Sequence, residues 1–164
     1  AALIRRIAND IDRLALGVDS HDALVRACVN AIAQPSIVVR HDGAHPEGRT
    51  LAANRAFRAA FQVMADEVEG ADFPDLVRSL GFDPDAVTSL PPGAGVEAAV
   101  RAAGAGDRWF TINHRPLLCV GVGMTLSALS LWSLEDITGF RRVEDALRAA
   151  QRKAIAPKPL SSPA

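Results

Sequence analysis

Apolar residues near the start of the chain recur at helical spacing. The first seam alternates intervals of three and four residues, the a/d pattern of paired helices, and consists of Ile4, Ile7, Ile11, Leu14 and Val18. Two heptads are too short for a stable lone helix, so this segment either pairs with a second helix or packs on its own domain. A second predicted helix is capped by Asp19 or Ser20 and ended by Pro35. Its apolar stripe is Leu24, Val25, Cys28, Val29 and Ile32.

The next part of the chain predicts two strands followed by short helices. The β-branched run SIVVRHDG at 36–43 is bounded by Pro and Gly, and TLAAN at 50–54 predicts a shorter second strand. In the helix that follows, Asn54 is the predicted cap, while Phe57, Phe61 and Met64 share one face. Proline and glycine then break residues 69–92 into short helices rather than one long helix.

Three further strands are predicted as a meander. In the fourth strand Phe110, Ile112 and His114 point to one side of the sheet, and Trp109, Thr111 and Asn113 point to the other. In the last strand Leu129 and Leu131 lie on one face, and Trp132 and Leu134 lie on the opposite face. Apolar residues on both faces indicate a sheet that is covered on both sides. The predicted fold class is therefore α+β, with an antiparallel sheet and helical extensions at each end.

A charged helix follows the last strand with almost no loop between them. Its apolar positions again recur mostly three and four residues apart, at Ile137, Phe140, Val143, Leu147, Ala150 and Ala154. Asp136 and Thr138 have short polar side chains that can cap this helix and fix the angle at which it leaves the sheet. Seams at both ends of one domain are expected of a module that transmits rotation in a parallel homodimer. We expect the terminal helix to pack against its dimer mate rather than against its own core.

Composition and charge narrow the classes of partner. Hydrophobic residues make up 49% of the chain and charged residues 23%, as in ordinary globular proteins, and the formal net charge is -1. Because no basic run is present, nucleic acid is not an expected partner. Residues 116–134 are uncharged over nearly the length of a membrane span, but Gly121, Gly123 and interspersed serines favour two strands joined by a turn, without membrane insertion. Cys28 and Cys119 indicate reduced, buried thiols in a cytoplasmic domain.

No residues have the spacing of a catalytic or metal centre. The glycine-containing stretches lack the phosphate-loop pattern, and no serine lies in a nucleophile elbow. His41, Asp42 and His45 lie in a Gly- and Pro-bearing stretch without a clear third ligand, so we interpret it as a solvated turn and predict no metal. No catalytic residue is predicted, and for a small α+β enzyme His114 would be the first residue to test.

Three stretches of the sequence together resemble a PAS domain. RTLAANRAFRAAF at 49–61 is similar to the place where the second PAS strand ends in Asn and enters a helix, and GDRWFTINHRPL at 106–117 is similar to the fourth strand. EDIT at 135–138, followed by FRRVEDALRAAQ, is similar to the Asp-Ile-Thr junction before a signalling helix. The resemblance divides the chain into a helical segment (1–34), a PAS-like domain (35–138), a signalling helix (139–156) and a linker or disordered tail (157–164).

The resemblance implies a five-stranded antiparallel sheet with short helices on one face and a pocket between them. The pocket would be lined by Phe110, Ile112, His114, Ser130, Trp132 and Leu134. Neither flavin nor haem is expected, because the flavin-adduct cysteine motif is missing and no histidine lies between His45 and His114. The interior is either a packed apolar core or a site for a small organic ligand, whose identity is unknown.

The resemblance also implies a sensory role, since PAS domains are common in bacterial histidine kinases. We expect a homodimer that relays a signal through its flanking helices to a C-terminal, kinase-like output domain. The dimer seam would comprise Ile4, Ile7, Ile11, Leu14, Phe140, Val143 and Leu147. The alternatives are a module that docks a regulatory protein without sensing a ligand, and a small α+β enzyme.

Overall fold

The predicted α+β order of elements is confirmed by the structure, a computed structural model that describes residues 22–102, 106–117 and 128–155. Residues 22–30 belong to helix α1. The other elements are β1 (Ser36–His41), β2 (Arg49–Ala53), α2 (Arg55–Phe61), α3 (Ala65–Val68), α4 (Phe73–Ser79), α5 (Pro84–Thr88), β3 (Gly95–Ala102), β4 (Gly106–Leu117), β5 (Ala128–Asp136) and α6 (Thr138–Ile155). The N-terminal seam of Ile4, Ile7, Ile11, Leu14 and Val18 lies outside the described residues. Within those residues, none of the helices has the length and apolar character needed to span a membrane.

All five strands join in one antiparallel sheet, in the order β2-β1-β5-β4-β3. β5 lies at the centre and pairs with β1 over six residue pairs and with β4 over eight. The uncharged stretch 116–134 therefore contributes to two neighbouring strands wherever it is described, as the sequence predicted.

Each face of the sheet is covered by a separate apolar cluster. The inner cluster joins the strands to the short helices α2–α5 through residues such as Phe57, Phe73 and Val77. On the outer face, Val29 of α1 packs with Val38 and other residues of β1, β2 and β5. Because both faces are buried, β1 is apolar at consecutive positions instead of alternating.

Two details of the predicted helices are wrong. The single helix predicted to carry Phe57, Phe61 and Met64 is split, because Gln62 takes a left-handed conformation (φ 56°) that ends α2. Met64 then precedes α3 and is 67% exposed rather than sharing the core face of Phe57. In α1, Leu24 and Cys28 are exposed, because only the narrower stripe containing Val29 reaches the sheet.

Asn54 is fully buried and connects the segment that follows α1 with β1 and α2. Its side-chain Oδ1 accepts hydrogen bonds from the backbone N–H groups of Ser36 (3.0 Å) and Phe57 (2.8 Å). Its Nδ2 donates to the carbonyl oxygens of Ile32 (2.8 Å) and Gln34 (2.7 Å). One amide therefore satisfies four backbone groups near the core, of which the Gln34 carbonyl also accepts from the Ser36 hydroxyl.

Replacing Asn54 by Ala removes all four bonds, and we expect the free energy of unfolding to fall by about 3 kcal/mol in urea denaturation. The matched control is Asp83→Ala, because Asp83 caps α5 at the surface with a single bond to the N–H of Asp85. That variant should lose about 1 kcal/mol or less. Equal losses in the two variants would mean that Asn54 acts as a helix cap alone.

Candidate functional site

Strands β4 and β5 bring all six residues of the predicted pocket onto the inner face of the sheet. They are Phe110, Ile112 and His114 on β4, and Ser130, Trp132 and Leu134 on β5. Ile112 pairs with Leu134, and His114 pairs with Trp132. Every one of the six is buried, from 1% exposed at Phe110 to 9% exposed at His114. The structure therefore places them on one continuous surface below the short helices.

Apolar side chains fill nearly all of the space above this surface. The remaining cavity has a volume of about 20 Å³, room for about one water molecule. Pockets that hold small organic ligands usually measure roughly 300–1,000 Å³. Ile112, Trp132 and Leu134 line the cavity, whereas the other three residues of the predicted pocket do not.

The rest of the cavity lining comes from β1 and from the short helices above the sheet, from residues that sequence reasoning did not assign to the pocket. They are Ile37, Phe57, Phe73, Leu76, Val77, Leu80, Phe82 and Val87. Aromatic rings meet across the layer, with centroids 4.9 Å apart for Phe73 and Trp132 and 5.7 Å apart for Phe82 and Phe110. For the residues contributed by α4, a signal was present in the sequence: apolar residues recur at helical spacing at 73, 76, 77 and 80.

His114 is held within this core by ring stacking and hydrogen bonds. Its imidazole lies parallel to the Trp132 ring, with 4.1 Å between centroids and 2° between planes. Its two nitrogens contact the hydroxyl of Ser130 and the carbonyl oxygen of Leu90. The Nε1 atom of Trp132 is buried and has no hydrogen-bond partner among the described residues.

The junction between β5 and α6 is fixed by a set of short hydrogen bonds. Oδ1 of Asp136 accepts from the N–H of Thr138 at 2.9 Å, forming an Asx turn. The Thr138 hydroxyl oxygen accepts from the backbone N–H of Trp109 at 2.9 Å, and the Trp109 carbonyl accepts from the N–H of Ile137 at 2.8 Å. The start of α6 therefore continues the pairing of β5 with β4 for one more step. The sequence indicated Asp136 and Thr138 but gave no sign that Trp109 is their partner.

Two arginines that the sequence did not indicate strengthen this junction. Arg108 donates to Oδ2 of Asp136 at 3.0 Å, and Arg141 forms ion pairs with Glu97 on β3 and with Glu144. Arg141 also lies over the Trp109 ring, 5.0 Å from its centroid. Burial alone would raise the pKa of Asp136, but the hydrogen bonds from Thr138 and Arg108 outweigh it and hold that pKa below its ordinary value.

Beyond the junction, α6 leaves the domain without burying any residue. Its predicted seam residues, which we call the exit seam, are exposed: Phe140 by 70%, Val143 by 69% and Leu147 by 58%. Large apolar side chains aligned on one face of a helix and open to solvent are characteristic of a surface that another helix covers.

The loop after β1 is shaped by Asp42, whose carboxylate accepts from the N–H groups of Ala44 (2.9 Å) and His45 (2.7 Å). The hydrogen bond from His45 is the main reason that the pKa of Asp42 lies below its ordinary value. In the part of the chain that the structure describes, no three His, Cys, Asp or Glu side chains are grouped to hold a metal ion.

The fold is that of a PAS domain. The PAS domain from Bordetella pertussis BvgS superposes with a TM-score of 0.52 at 19% sequence identity, covering 80% of this chain and 96% of that domain. A light-oxygen-voltage domain studied with a flavin analogue superposes with a TM-score of 0.50 at 18% identity, with the same coverage of 80% and 96%. Searches with protein-family models and against curated protein sequences returned no match.

Replacing Thr138 by Val keeps the shape of the side chain but removes the acceptor for the N–H of Trp109. We expect hydrogen exchange of the Trp109 amide to accelerate and the free energy of unfolding to fall by about 1 kcal/mol. Thr138→Ser retains the hydroxyl and should restore slow exchange. If Trp109 exchanges equally slowly in the Val variant, the hydroxyl does not fix the junction.

Proposed function

We propose that this chain is a PAS-type sensory module that relays a signal through its flanking helices to a C-terminal output domain of the histidine-kinase type. The observation that carries this proposal is the geometry of α6. Its first turn is fixed to the sheet, and its exit seam is exposed. A helix held at one end and free along one face can transmit a change in the sheet to whatever follows it.

The attachment of α6 makes it sensitive to the positions of two strands. Thr138 bonds to Trp109 on β4, while Arg141, in the first turn, pairs with Glu97 on β3. A displacement of either strand relative to β5 would therefore tilt or rotate the helix. Over 18 residues, at about 1.5 Å per residue, a small rotation at the start is carried about 27 Å from the sheet.

A second copy of the chain is the proposed occupant of the exit seam. Phe140, Val143, Leu147, Ala150 and Ala154 follow intervals of three, four, three and four, the spacing of a two-stranded coiled coil. A helix with no buried residue gains little from tertiary packing, which supplies most of the stability of helices in proteins. Pairing in parallel would cover the seam and direct both copies towards the same output.

The interior supports a relay without flavin. Flavin chemistry belongs to the light-oxygen-voltage relative, while here the inner face is packed with aromatic rings around a cavity of about 20 Å³. No cysteine lies between residues 29 and 118, so the short helices carry no thiol that could form a flavin adduct. We propose that the core is a packed structural layer and that no haem is bound, since no histidine lies between His45 and His114.

The same exposed seam also supports the second candidate, a module that docks a regulatory protein. In that case the helix of a different protein, rather than a second copy, would cover Phe140 and Leu147. The third possibility, a small enzyme, has less support, because Ser130 and His114 are buried and the cavity on the inner face of the sheet is too small for an organic substrate.

Sedimentation equilibrium of two glutamate variants separates the first two candidates. Leu147→Glu places a charge in the centre of the exit seam, so we expect the dimer dissociation constant to rise at least roughly 100-fold. Ala149→Glu adds the same charge to the outer side of α6 and should leave the constant within about threefold.

Two results would count against the relay. If the unmodified chain is a monomer at tens of micromolar, the seam is not covered by a second copy and the docking module is favoured. If both glutamate variants weaken the dimer equally, the dimer forms through another surface.

A further inference from the structure

A series of hydrogen-bond contacts crosses the inner face of the sheet from the core to the surface. At the inner end, Nδ1 of His114 lies 2.8 Å from the Leu90 carbonyl oxygen, and Nε2 lies 3.0 Å from the hydroxyl oxygen of Ser130. At the outer end, Nε2 of His41 lies 3.1 Å from the same hydroxyl oxygen, and Nδ1 lies 3.2 Å from the Pro46 carbonyl oxygen. We call His41, Ser130 and His114 the His–Ser–His chain.

The His–Ser–His chain makes four contacts, and each contact needs one hydrogen atom. The two carbonyl oxygens only accept, so Nδ1 of both histidines must carry a hydrogen to make the outer and inner contacts. The two contacts at Ser130 need one hydrogen each, and the serine hydroxyl supplies a single one. With both imidazoles neutral the chain holds three hydrogens, so one contact of the four is left unmade.

One added proton completes the set. Doubly protonated His41 donates to Pro46 and to Ser130, the Ser130 hydroxyl donates to Nε2 of His114, and Nδ1 of His114 donates to Leu90. A second added proton would leave the serine hydrogen without an acceptor and would place two positive charges on either side of one oxygen atom. The singly protonated state is therefore favoured, because it makes all four contacts, pairs the serine hydrogen as well and holds a single positive charge.

We propose that the His–Ser–His chain is a site that binds one proton, held on His41, and that this proton fastens the loop at 42–48 to the sheet through the Pro46 carbonyl. The proton resides on His41 because His114 is only 9% exposed, and burial disfavours a charge there, whereas His41 is half-buried. When the proton leaves, His41 retains one ring hydrogen and can donate to Pro46 or to Ser130 but not to both, so the link from the loop through His41 to β5 is broken at one of its two contacts. The inference goes beyond the proposed relay and does not depend on it, since the chain of contacts lies within one copy.

The charged groups around the outer end favour a cation on His41. Its neighbour Asp42 is negatively charged, and the surface groove that contains Pro46 and Gly48 is lined by three further carboxylates, those of Glu47, Asp72 and Asp75. Opposing them are three nearby basic groups, His45 in the same loop, Arg49 on β2 and Arg78 on α4, which pairs with Asp75 at 2.7 Å. Arg49 is partly neutralised, because it pairs with Asp72 at 3.6 Å.

The inner end of the His–Ser–His chain is surrounded by uncharged groups. The described residues of the inner core cluster are apolar, and the segment 89–94 that packs against His114 has no ionisable residue. Arg40 and Arg115 are adjacent to His41 and His114 along the strands, and alternation directs them to the outer face, where Arg40 pairs with Asp22. Among the residues that the structure describes, no charge at this end competes for the proton.

Nitrogen NMR of the complete chain labelled with ¹⁵N-histidine tests the proposal between pH 5 and 8.5. We expect His41 and His114 together to take up one proton rather than two, with His114 remaining in its Nδ1–H form. Amide resonances of the loop at 42–48 should shift with the same midpoint as His41. In His41→Gln, proton uptake by the His–Ser–His chain and the pH dependence of the loop should both disappear. In His45→Gln, both should be unchanged.

The outcomes that overturn the proposal are equally definite. The first is uptake of two protons by His41 and His114 together in the unmodified protein. The second is a His114 that is protonated on Nε2 at high pH. The third is a set of loop resonances that change with pH identically in His41→Gln. If His41→Gln fails to fold, two measurements on the unmodified protein decide the question: the number of protons that His41 and His114 take up together, and the tautomer of His114.

Discussion

The pairing of β5 with both of its neighbours is the interaction on which the rest of this structure depends. β5 is the central strand, held by β1 on one side and by β4 on the other. Ser130, Trp132 and Leu134 contribute to the inner face, whereas Leu129 belongs to the outer cluster. The same strand continues into α6 after a single residue, Ile137. A change in its register would move the core, the His–Ser–His chain and the exit helix together, because a shift of one residue reverses every face.

The interior of the domain is closely packed, whereas the apolar side chains of α6 are exposed. Inside, aromatic rings and a stacked His114–Trp132 pair fill the layer between sheet and helices, and close-packed interiors transmit strain rather than absorb it. Outside, α6 buries none of its residues and carries its apolar side chains towards solvent. A rigid body joined by a fixed junction to a helix with an exposed apolar face is suited to passing on a rotation, which is the basis of the proposed relay.

Much of the fold could be predicted from the sequence because its signals are local. The order of strands and helices, the two faces of β4 and β5 and the capping role of Asn54 follow from spacing within a few residues. The split at Gln62 was missed, because a left-handed residue other than glycine leaves little trace in the pattern. The exposure of Cys28 depends on how far the sheet extends beneath α1, which no local pattern records.

The candidate site was less predictable because its contacts join distant parts of the chain. Residues on one strand face could be assigned by alternation, so the six predicted pocket residues do lie together. The residues of the short helices that pack against them could not be assigned in this way, because strand order and helix placement decide which apolar residues meet. His41 contacts Ser130 across 89 positions of sequence, and Thr138 contacts Trp109 across 29. Such pairs are fixed by topology, and only the folded structure reveals them.

The parallel pairing of α6 can be measured by pulsed electron spin resonance on the complete chain. Cys28 and Cys119 would be replaced by serine, and single spin labels would be placed one heptad apart, at positions 142 and 149 and at positions 145 and 152. Each distance is measured between the same position on the two copies. In a parallel pair, the distance at 142 should equal that at 149, and the distance at 145 should equal that at 152, since the axes of packed helices stay about 8–10 Å apart. Unequal distances within either pair would show an antiparallel arrangement. The absence of any dipolar signal would show that α6 does not pair with a second copy.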